Sequence, residues 1–200
     1  MTWIYTVPFD EADKNLRDLY QRIKGPNNNV DNIMMAHSLR IHSMEGHLSL
    51  YKAVLHHRSN VLPRWFLECI GLYVSLINNC DYCAQHHYEG MSRLIEKEDL
   101  AVLIWESFLE DNPSKALKGK ELAAVNYAKL LTCTPSKITE DNIKNLRSFG
   151  FDDGEILEIN QVVSYFNYAN RVVLGLGVTT DGDILGLSPS AEDPDDLSHM

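Results

Sequence analysis

Apolar residues recur at three- and four-residue spacing along most of the chain, which predicts helices and not strands. The first such segment covers residues 10–24 and stops at Gly25-Pro26, a pair that breaks helices. Further helical segments follow at residues 31–57 with a bend near 38–43, 63–77, 81–95, 97–109, 120–131, 140–148 and 153–175. The sequence has no alternating strand pattern and no linker between these segments. The pattern therefore predicts a single all-α domain, which we place at residues 1–178.

The end of the chain has a different composition. Residues 179–200, TTDGDILGLSPSAEDPDDLSHM, are rich in Asp, Gly, Ser and Pro and have no helical apolar period. This composition is typical of segments that bury too little apolar surface to fold alone. We predict an acidic C-terminal arm or tail, either loose or folded onto a neighbouring subunit.

Composition and charge exclude several functions. The chain has 200 residues and a net charge of −10, and so acidic a surface repels phosphate backbones, which argues against nucleic-acid binding. The longest nearly apolar stretch, residues 69–77, is far shorter than the roughly 20 residues that a membrane span needs. The N-terminus does not resemble a signal peptide, and four cysteines are too few for a disulfide-built scaffold. We therefore expect a cytoplasmic protein with reduced thiols.

The stretch NNCDYCAQHHYEG, residues 78–90, carries the candidate chemistry. Asn78-Asn79 ends one predicted helix, so Cys80 falls near the start of the next, where the helix dipole favours a thiolate. Cys83 follows three residues later and His87 four residues after that, which places the three side chains on one face of the helix. Two sulfurs so placed can form a disulfide, and the imidazole can take a thiol proton.

Two other interpretations of the cysteine pair stay open. Zinc needs four tetrahedral ligands, so a zinc site would require a fourth ligand from His86, His56 or His57 beside the two cysteines and the histidine on their face. No second C-x-x-C follows at zinc-finger spacing. Inert burial is the remaining interpretation, and it is the one we expect for Cys69 and Cys133.

Glu68 is a carboxylate in the otherwise apolar segment WFLECIGLYVSLI. If it is buried, its pKa is expected to rise toward neutrality, where a carboxyl group can shuttle protons. Two antiparallel helices would bring Glu68 back to the cysteines. The alternative is a solvent-facing Glu68 paired with Arg64.

Other polar residues are expected in structural, surface or interface positions. Histidines 37, 42 and 47 recur every five residues, roughly 140° per step on a helix, so they do not share a face. We expect surface or interface positions for these histidines and for His56-His57, and a His86 side chain that points further round its helix. For Asn167, Asn170 and Arg171 the alternatives are a place in the active-site pocket or at a subunit interface and a structural use, and we expect the structural use.

The spacing Glu68-x11-Cys80-x2-Cys83-x3-His87 resembles the signature of the alkylhydroperoxidase AhpD family, within the carboxymuconolactone decarboxylase-like superfamily. The flanking ECIGLYVSLINNCDYCAQHH is similar to the helix–break–helix core of that family, and residues 138–178 resemble the subfamily of peroxidase-related enzymes. The similarity covers roughly residues 10–178.

This resemblance implies an AhpD-like helical bundle that assembles as a homo-oligomer, a trimer or hexamer, and acts as a peroxiredoxin-type peroxidase without a cofactor or a metal. It implies that Cys83 attacks a hydroperoxide and becomes a sulfenic acid, and that Cys80 resolves it to a disulfide. An external dithiol of the lipoamide, thioredoxin or glutaredoxin type would reset the pair. Glu68 and His87 would relay protons.

One position departs from the family pattern. Its best-known members carry a histidine immediately before the second cysteine, and this chain has Tyr82 there. Two other functional classes are weighed against a peroxidase. One is a non-catalytic redox-sensing or zinc-binding helical scaffold. The other is a lactone decarboxylase, which the superfamily name suggests but whose chemistry needs no cysteine pair.

Overall fold

Helices build the whole architecture, as the apolar period predicts. The computed structural model describes residues 2–95, 97–189 and 197–198, and these residues form nine α-helices. The helices are α1 Lys14–Ile23, α2 Asn32–Met35, α3 Ile41–Tyr51, α4 Arg64–Ile77, α5 Asp81–Leu94, α6 Glu98–Leu109, α7 Gly119–Cys133, α8 Glu140–Ser148 and α9 Asp153–Leu176. The all-α fold class is confirmed. No helix in the described part of the chain is long and apolar enough to cross a membrane.

Local sequence explains where the long last helix begins and ends. The Asp152 carboxylate accepts a hydrogen bond from the Glu155 backbone amide at 2.8 Å, and the Glu155 carboxylate accepts one from the Asp152 amide at 2.9 Å. Such a capping box stabilises a helix start by about 1 kcal/mol. The helix ends at Gly177, whose φ of +61° suits glycine and whose missing Cβ would lie 2.1 Å from Trp3.

Helix α4 lies at the centre of the domain and packs against α5, α7 and α9. Residues 66–75 of this helix are all buried, which explains why its sequence is apolar on every side. A second, smaller cluster joins α1 to α2 and α3 through Leu16, Tyr20, Met34 and Leu48. Glu68 and Ser75 are polar residues within this buried stretch, and both face the candidate site described below.

The C-terminal segment differs from the loose tail that its composition indicates. Residues 179–189 turn back after α9 and bond to α2 and α5 of their own chain, for example through Asp183 and Arg93. The physical reason is that Leu187 and Asp183 find buried partners there, which composition alone does not reveal. Residues 190–196 and 199–200 of the predicted tail lie outside the described residues.

Candidate active site

The turn between α4 and α5 places the cysteine pair. Asn79 adopts a left-handed conformation with a φ of +55°, and the Cys80 amide then donates to the Ser75 carbonyl at 2.9 Å. Cys80 becomes the cap residue of α5, and Cys83 lies one turn into that helix. Both are buried free thiols, with 1% and 3% of their surfaces exposed. The placement of Cys80 at a helix start agrees with the sequence prediction.

The two thiols are linked by a hydrogen bond, which makes them unequal. The Cys83 thiol donates to the Cys80 sulfur and lowers the pKa of Cys80, although burial acts in the opposite direction. Burial, and then this same bond, raise the pKa of Cys83 well above its ordinary value. The first thiolate of the resting pair therefore forms at Cys80, so Cys83 needs a nearby base to remove its proton before it can react.

Asn170 on α9 holds the pair from the other side. This residue is fully buried, its amide nitrogen donates to the Ser75 hydroxyl at 3.1 Å, and its amide oxygen accepts from Asn78 at 2.9 Å. It also hydrogen-bonds to the sulfurs of Cys80 and Cys83, and each of these bonds lowers the pKa of the thiol concerned. Sequence reasoning assigned Asn170 a structural use and missed this contact, since a single polar residue on an apolar helix face gives no sign of its partner.

Glu68 is buried and forms the charged centre of the site. Its carboxylate lies 2.5 Å from His87 Nδ1 and 3.6 Å from His56 Nε2, and Arg64 lies beside His56 at 3.3 Å. Burial raises the pKa of Glu68, but the combined effect of His87, His56 and Arg64 is larger, so the pKa is lowered. The expectation of a pKa raised toward neutrality is wrong, because three basic groups surround this carboxylate.

His56 reaches Glu68 because of an irregular turn that the sequence did not reveal. After α3 the chain widens into a π-helical turn at Lys52–His56, which carries the His56 ring inward until 1% of it is exposed. The expectation of a surface or interface position for His56 is therefore wrong. Its neighbour His57 stays partly exposed, and a bond from the Ser59 amide to its Nδ1 closes the following turn.

The earlier histidines are also closer together than predicted. The rings of His37 and His47 lie 4.8 Å apart, and His47 Nε2 is 3.2 Å from the Tyr165 hydroxyl. The expectation of a surface or interface position is wrong for His47, which is 4% exposed. The two rings meet because residues 36–40 between α2 and α3 do not continue the α-helical geometry. His42 is exposed, as expected.

These groups meet around a cavity of about 40 Å³. Its lining includes Cys83, Glu68, His87, His47, Tyr51 and Tyr165. Cys80 lies behind Cys83 and does not line it. A sulfur, an acid and several imidazoles therefore share one small space, with a second sulfur in contact with the first. This arrangement can move protons to and from a reagent that contacts Cys83.

Tyr82, between the cysteines, points to the C-terminal segment. Its hydroxyl donates to the Asp183 carboxylate at 2.7 Å and accepts from the Ile33 amide at 3.2 Å. Burial, and then the charge of Asp183, raise the pKa of Tyr82 well above its ordinary value, so the phenol stays protonated. His86 Nε2 lies 3.4 Å from the same carboxylate and lines the cavity. His86 thus faces the site, and the expectation that it points further round the helix is wrong.

The two lone cysteines lie away from the pair. Cys69 is fully buried in the main core, and burial raises the pKa of its thiol. Cys133 is exposed at the end of α7, so its predicted place as a core residue is wrong. Within the residues that the structure describes, no group of three or more His, Cys, Asp or Glu side chains is arranged to hold a metal ion.

Comparison with solved structures identifies the fold. A peroxidase-related protein from Ralstonia eutropha JMP134, described as an alkylhydroperoxidase AhpD core, matches with a TM-score of 0.75 at 17% identity, over 89% of this chain and 91% of its own. A peroxidase-related protein from Silicibacter sp. TM1040 matches with a TM-score of 0.71 at 22% identity, over the same shares of the two chains.

A third match broadens the chemistry associated with this architecture. The debrominase Bmp8 matches with a TM-score of 0.63 at 16% identity, over 82% of this chain and 83% of its own. No family model matches the sequence, and no curated protein matches it. The solved structures nevertheless show that the chain has the all-helical fold of the AhpD-like proteins.

Proposed function

We propose that the protein is a thiol-dependent peroxidase that reduces hydrogen peroxide or organic hydroperoxides through Cys80 and Cys83. The observation that carries the proposal is the small cavity in which Cys83 meets the buried Glu68–His87 pair, while its thiol bonds to a second cysteine. Two structural neighbours described as peroxidase-related proteins support the same class of activity.

In the first step His87, oriented by Glu68, takes the thiol proton of Cys83. The Cys83 thiolate attacks the terminal oxygen of the peroxide, the O–O bond breaks, and His87 gives the proton to the leaving oxygen. The peroxide gains two electrons and leaves as an alcohol or as water. Cys83 is then a sulfenic acid. The buried ionised Glu68 supports this step, because it stabilises the positive charge that His87 carries between the two transfers.

In the second step Cys80 attacks the Cys83 sulfur. The new S–S bond expels the sulfenic oxygen as hydroxide, which takes up one proton and leaves as water. The lowered pKa of Cys80 suits this role, since it makes Cys80 the available thiolate. An external dithiol of the lipoamide, thioredoxin or glutaredoxin type then returns two electrons and two protons to the pair, so the cycle needs no cofactor or metal.

We further infer that the protein works in the cytoplasm as a homo-oligomer, a trimer or hexamer. Exposed apolar side chains support an interface, since Trp3 is 79% exposed and Leu157 and Leu174 on α9 are 56% and 43% exposed. Light scattering of the purified chain tests this proposal. A trimeric or hexameric mass supports it, and a monomeric mass contradicts it.

A steady-state assay with hydrogen peroxide and a small dithiol tests the peroxidase. Cys83→Ser should abolish turnover, and Cys80→Ser should accumulate a sulfenic acid at Cys83 that a dimedone probe traps. Cys133→Ser, which changes an exposed thiol outside the site, is the matched control and should keep the activity. Turnover that survives Cys83→Ser would contradict the proposed role of that residue.

The alternative is a non-catalytic scaffold that senses oxidation or holds zinc. Metal analysis of protein purified without chelators separates the two. Near-stoichiometric zinc together with absent turnover would favour the scaffold, whereas metal-free protein that consumes peroxide favours the enzyme.

A further inference from the structure

We propose that residues 181–189, here called the strap, set the size of the peroxide that reaches Cys83. In the position that it occupies in the structure, the strap admits hydrogen peroxide and excludes bulky organic hydroperoxides. The inference rests on the peroxidase function proposed above and adds its substrate class. It starts from the part of the C-terminal segment that covers the site.

The strap is fastened at its centre by a buried carboxylate. The side chain of Asp183 is 2% exposed and accepts hydrogen bonds from the Tyr82 hydroxyl at 2.7 Å and from the Asn32 amide at 3.1 Å. His86 Nε2 lies 3.4 Å from the same carboxylate. Each of these groups stands at the start of α2 or in the first half of α5, so Asp183 ties the strap directly over the cysteine helix.

A second anchor holds the following residues. The Arg93 guanidinium donates to the carbonyls of Leu185 and Gly186 at 2.8 and 2.9 Å. Gly186 has a φ of +73°, and an added Cβ there would lie 2.8 Å from Glu89 Cβ. Glycine is thus required both by its backbone conformation and by the close approach to α5. The strap is pressed onto the helix that carries both cysteines.

Leu187 is the part of the strap that closes the site. This side chain is buried and lines the same cavity as Cys83. The cavity measures about 40 Å³, whereas a single water needs about 10–15 Å³ of such space. Hydrogen peroxide fits a volume of this size. Cumene hydroperoxide does not, because its phenyl ring alone exceeds the cavity.

The strap is the wall best able to move. Apart from Asp31, which caps α2, every other described lining residue belongs to a helix of the packed domain. Helices in a close-packed core do not yield to a larger substrate. The strap residues have no helical bonds and are held mainly by polar contacts, so changing Leu187 alters the space over Cys83 without disturbing the helices.

Peroxide specificity tests the proposal on the full-length protein. The wild type should use hydrogen peroxide in preference to cumene hydroperoxide, as measured by kcat/KM. Leu187→Ala should raise the ratio of kcat/KM for cumene hydroperoxide to that for hydrogen peroxide by about tenfold or more, as expected when a pocket loses apolar bulk. Leu185→Ala is the matched control: this leucine belongs to the strap but does not line the cavity, so the ratio should stay at the wild-type value.

A second variant acts from outside the cavity. Arg93→Gln removes the donor that holds the two strap carbonyls, so it should shift the specificity ratio in the same direction as Leu187→Ala. Equal use of both peroxides by the wild type would overturn the proposal. The proposal would also be overturned if Leu187→Ala changed the specificity ratio no more than Leu185→Ala does.

Thiol labelling separates failure of the strap from failure of the peroxidase. Native protein is treated with iodoacetamide, a small reagent, and fluorescein maleimide, a bulky one, and labelling of Cys83 is measured by peptide mass spectrometry. Leu187→Ala should increase labelling by the bulky reagent more than by the small one. If the protein turns over no peroxide but Leu187→Ala still increases labelling by the bulky reagent more than by the small one, the peroxidase proposal is wrong and the strap proposal is supported. If the two reagents show no such difference in labelling, the strap proposal is wrong, whether or not the protein turns over peroxide.

Discussion

Replacement of Gly71 by alanine tests whether α4 and α9 are packed as closely as the site requires. Gly71 lies one turn after Glu68 on α4, and a Cβ at this position would stand 2.1 Å from Phe166 Cε2 and 2.2 Å from Cζ. Phe166 is fully buried on α9, and its ring meets the His87 ring edge-on at 4.4 Å. The extra methyl must therefore push apart the two helices or displace the ring that supports His87.

The magnitude follows from two opposing effects. Alanine is a better helix former than glycine by about 1 kcal/mol, which alone would stabilise the variant. Overpacking a close-packed core costs about 1–3 kcal/mol, and a contact of 2.1 Å against a buried ring places Gly71→Ala at the upper end. The net expectation is a loss of about 2 kcal/mol in the free energy of unfolding, or roughly 4–8 °C in Tm for a domain of this size.

Urea unfolding followed by circular dichroism measures this difference. Gly46→Ala is the matched control, because Gly46 is also helical and nothing lies within 4 Å of its added Cβ. Only the helix propensity acts there, so Gly46→Ala should stabilise the protein by up to about 1 kcal/mol. A Gly71→Ala variant as stable as the wild type would refute the packing of α4 against α9.

Three further predictions concern the site. Cys83→Ala should raise the pKa of Cys80, because it removes the thiol that donates to the Cys80 sulfur; thiolate absorbance at 240 nm against pH measures this. Glu68→Gln should lower the free energy of unfolding at pH 7 by about 3 kcal/mol, because it removes the buried carboxylate that His87, His56 and Arg64 surround. The pKa of Glu68 is lowered in the folded protein from its ordinary value of 4.5. The stability difference between wild type and Glu68→Gln should therefore be largest above pH 4.5 and should narrow as the pH falls further. Urea titrations at several pH values measure this difference. Tyr82→Phe should speed amide hydrogen exchange in residues 181–189, because the strap loses a buried hydrogen bond.

Matched variants accompany two of these measurements. Cys69→Ala removes a thiol whose pKa is raised by burial. The low-pKa titration of Cys80 should therefore still be seen in this variant. Tyr127→Phe also loses a hydroxyl bond, the one that it accepts from Asn160, but far from the strap, so exchange at residues 181–189 should not change. An unchanged titration in Cys83→Ala, a stability gap that stays constant down to pH 3, or strap exchange that Tyr82→Phe leaves unaltered would contradict the respective prediction.

Periodicity and helix breakers were sufficient to predict the all-α class and the positions of most helices. The apolar run of α4, its end at Asn78-Asn79 and the restart at residue 81 are local features, and the structure has them where the sequence places them. The structure of residues 31–57 was only partly predicted, because the π-helical turn at Lys52–His56 does not change the spacing of the apolar residues in a recognisable way.

The site was only partly predictable, for a physical reason. Glu68, Cys83 and His87 lie on two consecutive helices, so their spacing predicted that they could meet, and the structure brings all three to one cavity. Tyr165 and Asp183 are more than 75 residues away from these three in the sequence. Their positions depend on how α9 and the strap pack, and neither residue type alone indicates this.

A single-turnover experiment shows whether Cys80 and Cys83 pass two electrons to a peroxide. Reduced protein receives one equivalent of hydrogen peroxide without a reductant, and its four cysteines are then mapped by alkylation and mass spectrometry. We expect a Cys80–Cys83 disulfide, with Cys69 and Cys133 still reduced. Peroxide that leaves the pair reduced, or that oxidises only Cys133, would contradict it.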